Sequence, residues 1–138
     1  MLSTYESSIK EIPYSQEKVY AKLSDLNHLE GIKDKIPADK VKDLTFDTDT
    51  VNCTISPVGN VSLRIIEREP PKCIKFETVS SPVPFNLWIQ IVPIGEERCK
   101  IRLTVKAELN PFIKGMVEKP LKEMLEKMVE ALANLSYE

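Results

Sequence analysis

The chain has few of the residues that most often perform chemistry: one histidine, one tryptophan and three cysteines in 138 residues. Cys53, Cys73 and Cys99 are odd in number, far apart and without a C-x-x-C pair. That pattern argues against a disulfide framework or a structural zinc site. No apolar run approaches the roughly 18 residues of a membrane-spanning helix. No Lys/Arg cluster supplies the electrostatic footprint of a nucleic-acid binder. The opening MLSTYESSIKEI has neither the basic nor the apolar region of a signal peptide. A reduced, cytoplasmic protein with no nucleic-acid partner, no membrane span, no metal and no cofactor is therefore expected. Repeats, low-complexity tracts and linkers are also missing, so one domain over residues 1–138 is expected.

What remains is the composition of a folded globular chain, 42% hydrophobic and 29% charged with a formal net charge of -2. Tyr5, Ser7 and Ile9 alternate as in a strand that ends at Pro13. Ser15 stands at an N-cap position, with Tyr14 and Val19 at the spacing of a hydrophobic staple, and a short helix follows. LNHLEGIKDKIP predicts a second short helix or helical turns, broken near Gly31 and stopped by Pro37. Strands then follow one another. Leu44 and Phe46 share a face, as do Val51, Cys53 and Ile55, and then Val61, Leu63 and Ile65 after a turn over Pro57–Asn60. EPPK marks another turn. Beyond it come Ile74 and Phe76, then Phe85, Leu87, Ile89 and Ile91 opposite Asn86, Trp88 and Gln90. The cleanest alternation sets Ile101, Leu103, Val105 and Ala107 against Lys100, Arg102, Thr104 and Lys106. Such patterns belong to an antiparallel sheet with one covered and one wet face.

The C-terminal segment is the cover. Leu121, Met124, Leu125, Met128, Val129, Leu132 and Leu135 form a stripe at helical spacing. Glu118–Lys122 and Glu123–Lys127 follow the favourable i, i+4 order on the polar side. Upstream, Phe112, Ile113, Met116 and Val117 also keep helical spacing, but their mean direction lies roughly 100° from the later stripe. With Pro120 at the join, the pattern predicts two helical pieces with a bend or short break between Met116 and Leu121.

Strand, two short helices, six strands and a long C-terminal helix resemble the helix-grip fold of the START-like (SRPBCC) superfamily. The segments IPYSQEKVYAKLSDLNHLEGI, EPPKCIKFE, IVPIGEERCKIRLTVKAEL and KPLKEMLEKMVEALANL resemble its polyketide cyclase/dehydrase and lipid-transport branch. The resemblance implies an α+β fold in which a seven-stranded curved antiparallel sheet grips the last helix, with a ligand cavity between them. Family members often carry aromatic residues in the second short helix. Leu29 and Ile32 stand in that neighbourhood here, so no aromatic clamp carries over.

His28, the exposed-turn pairs Asp47/Asp49 and Glu96/Glu97, and Glu67/Glu69 before the prolines all read as solvated groups. Inward positions are nearly all aliphatic or phenylalanine, and polar exceptions such as Ser7 and Thr78 cannot alone perform acid–base work at neutral pH. The candidate ligand contacts are Ile9, Leu44, Phe46, Ile55, Leu63 and Ile65 from the earlier strands. Phe76, Phe85, Leu87, Ile89, Leu103 and Val105 join them from the later strands, and Phe112, Met116 and Met124 from the C-terminal segment. Binding of a small hydrophobic molecule (a lipid, isoprenoid or polyketide-like compound) is the favoured reading. A cyclase/dehydrase-type enzyme and a protein-interaction module related to heat-shock ATPase activators are the alternatives. Trp88, alone on the wet face, suggests a homodimer through that region.

Overall fold

The structure is a computed structural model that describes residues 2–35, 41–55 and 59–137. The expected stop at Pro37, and Pro57 of the expected turn, lie outside these residues. Gly59 and Asn60, assigned to that turn by sequence, already belong to a strand.

Two short strands, β1 (Leu2–Glu6) and β2 (Lys10–Ile12), precede helix α1 (Gln16–Leu23) and a run of 3-10 turns over Leu26–Lys35. The Ser15 hydroxyl caps α1 by accepting from the Lys18 amide at 3.2 Å. The 3-10 run continues through Gly31, where a break was expected. Six strands follow: β3 (Val41–Phe46), β4 (Thr50–Ile55), β5 (Gly59–Glu69), β6 (Cys73–Ser80), β7 (Phe85–Pro93) and β8 (Cys99–Glu108). Helix α2 (Pro111–Ala133) closes the order. All pairings are antiparallel, in the order β1-β8-β7-β6-β5-β4-β3, with β2 also on β8. The sheet thus has eight strands among the described residues, where seven were expected, because the first strand is divided.

That division has a local cause. Ser7 exchanges hydrogen bonds with Leu103, its amide donating to the carbonyl and its hydroxyl accepting from the amide, both at 2.9 Å. Lys10 pairs with Ile101, so Ser8 and Ile9 together stand opposite the single Arg102. This is a β-bulge, and one extra residue turns the following side chain to the other face. Ile9 is 55% exposed, not inward. The Glu126 carboxylate holds the bulge by accepting from the Ser8 amide and, at 2.7 Å, from its hydroxyl. Similar shifts make Ile66 the extra residue on β5 and Val79 the extra residue on β6, and both are exposed. On β3 the shift lies between Lys42 and Thr45, where Asp43 adopts φ 54°. Such irregularities bend strands and increase their twist, which curves the sheet around α2.

On the outer face Trp88 lies between two lysines, with Lys75 Nζ 5.1 Å and Lys106 Nζ 5.5 Å from its ring centroid. Thr104, its cross-strand partner, is buried and donates to Gln90 Oε1 at 2.9 Å.

Helix α2 departs from the sequence reading. Asn110 caps it by accepting from the Ile113 amide at 2.8 Å, and Pro111 occupies the first turn, where no donor is needed. The helix then runs continuously through Pro120. Ile113, Val117, Leu121, Met124 and Met128 pack toward the core at spacings of four, four, three and four. The apparent jump in the apolar face came from counting Phe112 and Met116, which are 77% and 57% exposed. Without them the stripe passes Pro120 unbroken. The carbonyl that Pro120 leaves without a donor belongs to Met116, on the solvent side, where water can serve it.

Candidate functional site

Between the sheet and α2 lies a cavity of about 90 Å3 whose wall consists of apolar side chains alone. Strand alternation supplies most of it. Leu44 and Phe46 come from β3, Ile55 from β4, Leu63 from β5 and Phe76 from β6. Phe85, Leu87 and Ile89 come from β7, Leu103 and Val105 from β8, and Met124 from α2. These are positions expected from the sequence, brought together on one void.

Four expected contacts are not on it. Ile9 is turned outward by the bulge at Ser8. Phe112 and Met116 lie on the exposed side of α2. Ile65 is buried but does not line the cavity. Conversely, Leu26, Leu29 and Ile32 line it from the 3-10 run. Alternation does not apply to 3-10 turns. The pointer to them was the family position of Leu29 and Ile32. Val51 and Cys53 share the Ile55 face, and Leu125, Met128 and Leu132 share the α2 stripe, so their signals were present but not extended to the site.

The buried hydroxyls of Ser3, Tyr5 and Tyr20 have no hydrogen-bond partner among the described residues, but none of the three lines the cavity. Ser7 donates to the Ser8 carbonyl at 2.8 Å as well as accepting from Leu103, and the Thr78 hydroxyl accepts from the Phe85 amide at 3.3 Å. His28, Glu67, Glu69, Asp47 and Asp49 are exposed, the last two in a turn where Asp47 Oδ1 accepts from the Asp49 and Thr50 amides. Among the described residues no group of three or more His, Cys, Asp or Glu side chains is placed to hold a metal ion.

Cys53 is the one thiol in the wall. Burial disfavours its thiolate and pushes its pKa up to about 11. Alkylation by iodoacetamide at pH 8 is therefore expected to be on the order of a hundredfold slower than in the denatured chain, because the thiolate is the reacting form. The rate should climb as pH approaches the raised pKa. Peptide mapping by mass spectrometry reads this directly, and equal rates in native and denatured protein would contradict the placement.

A curved antiparallel sheet closed over a long C-terminal helix, with an apolar void between them, defines a helix-grip protein of the START-like superfamily. The chain belongs to the polyketide cyclase / dehydrase and lipid transport family, which it matches over residues 3–136. Among solved structures it is similar to a norcoclaurine synthase point mutant from Thalictrum flavum in complex with a transition state analogue. The TM-score is 0.72 at 16% identity, over 96% of this chain and 92% of that one. It is also similar to a protein from Thermus thermophilus, with TM-score 0.66 at 19% identity over 95% and 94% of the chains. A START superfamily protein from Mycobacterium smegmatis gives TM-score 0.60 at 15% identity over 95% and 98%. At these identities the likeness concerns the fold alone. Among curated proteins none matches the chain in sequence. No helix among the described residues is long and apolar enough to cross a membrane.

Proposed function

We propose that the protein binds and carries a small hydrophobic molecule, a lipid, isoprenoid or polyketide-like compound, in the cavity between sheet and α2. The supporting observation is the wall itself. It encloses free volume and offers apolar carbon and sulfur but no uncommitted hydrogen-bonding group. Water in such a space would lack the two to four polar partners it needs, and apolar cavities of about 150 Å3 stay dry and take up benzene. An apolar ligand gains roughly 25 cal/mol for each Å2 removed from water. Catalysis has less support, because the cavity wall carries no hydroxyl, imidazole or carboxylate among the described residues. A homodimer through Trp88 also has less support, since two lysines of the same chain already flank the ring.

Native mass spectrometry of gently purified protein, followed by solvent extraction, tests the reading. A retained apolar compound, or saturable binding of hexanol by isothermal titration calorimetry, is the expected result. Protein that carries nothing and binds no hexanol would overturn it.

A further inference from the structure

A second void lies beside the first. It measures about 30 Å3 and sits under the first half of α2, with Val117, Pro120 and Leu121 on the helix side and Val83, Ala107 and Leu109 across from them. Ile55, Phe85 and Met124 line both voids, so these three side chains form the partition. They differ in freedom. Ile55 is β-branched and stiff at χ1, and it is buried on β4. Phe85 is tied through its amide to Thr78 and has only two side-chain torsions. Met124 is unbranched, half-buried and has three rotatable bonds, and methionine adapts to irregular apolar space.

Size makes the partition matter. The central void alone suits a single ring or a short chain, and the second is too narrow for a ring. Resting on the ligand-carrying reading above, we infer that the two voids are subsites of one elongated site. Met124 separates them and swings aside, and the ligand has an unbranched hydrocarbon tail that passes Met124 and ends beneath Pro120. Met124 would then set the length of tail the protein accepts.

Isothermal titration calorimetry with straight-chain alcohols, from hexanol to tetradecanol, tests this. Each methylene that enters apolar surroundings should tighten binding about fourfold until the available space is filled. In Met124→Ala the voids are joined, so dodecanol and tetradecanol should bind at least about tenfold more tightly than to the natural protein. Hexanol loses the Met124 contact in the central void, so its binding should weaken or stay level and show no comparable gain. Leu121→Phe fills the distal void without touching the central one, and it should abolish the long-chain gain while leaving hexanol binding intact. Thermal melts of both variants check that they fold, and either variant alone decides the question. Parallel chain-length profiles in all three proteins would overturn the inference while leaving the carrier reading in place. So would a Met124→Ala gain as large for hexanol as for dodecanol. If the natural protein binds no alcohol of any length, the carrier reading fails first and takes this inference with it.

Discussion

Replacing Leu125 with alanine is expected to lower the unfolding free energy by about 3–4 kcal/mol. Leu125 is 2% exposed, on the face of α2 that meets the sheet, and it already borders the 90 Å3 cavity. Truncation removes the transfer energy of the lost methyl and methylene groups. It also enlarges an existing void that rigid strands on the far side cannot close, which puts the cost in the middle of the usual Leu→Ala range. For a chain of this length the melting temperature should fall on the order of 10 °C. The midpoint of urea unfolding should drop with an unchanged slope. The enlarged cavity supplies a second readout. Saturating benzene should restore part of the lost melting temperature in Leu125→Ala and much less in the natural protein, because binding to the folded state alone stabilises it. A loss under about 1 kcal/mol, with no response to benzene, would mean that α2 is not seated on the sheet as described.

Pro120→Ala should act in the opposite direction. Because α2 is continuous through position 120, alanine there gains an amide that can donate to the Met116 carbonyl, and it loses the ring's collision with the preceding turn. The helix-interior preference for alanine over proline is about 3 kcal/mol. Two effects subtract from it. The unfolded chain regains freedom worth about 0.4–1 kcal/mol, and the ring carbons of Pro120 leave the wall of the small void. A net stabilisation of about 2 kcal/mol is expected by urea unfolding. A less stable variant would show that the ring's packing outweighs the helical penalty.

The sheet was more legible than its cover. β8 alternates without interruption over Ile101, Leu103, Val105 and Ala107, and all four are buried, because a two-residue period on a half-covered strand leaves one solution. Ile9 could not be placed by the same rule. An extra residue at Ser8 and Ile9 costs nothing in local pattern, and only the pairing with Leu103 and Ile101 reveals it. On α2, Phe112 and Met116 satisfy helical spacing as well as Ile113 and Val117 do. Two stripes were available, and sequence spacing cannot say which one meets the sheet. Leu26, Leu29 and Ile32 were hidden because 3-10 turns lack both the period of a strand and that of an α-helix.

The bulges bear on how many copies of the chain behave together. The sheet ends in β3 on one rim and in β1 and β2 on the other, and an unpaired rim is a template on which another molecule can add a strand. Each rim is interrupted. On β3, Asp43 turns into left-handed backbone between Lys42 and Thr45, and on the opposite rim Ser8 and Ile9 crowd against one partner residue. A foreign strand laid along either rim would find donors and acceptors falling out of step after a few residues, beside the charges of Lys42 and Asp43 or of Lys10 and Glu11. Irregular rims of this kind resist fibre growth at high protein concentration.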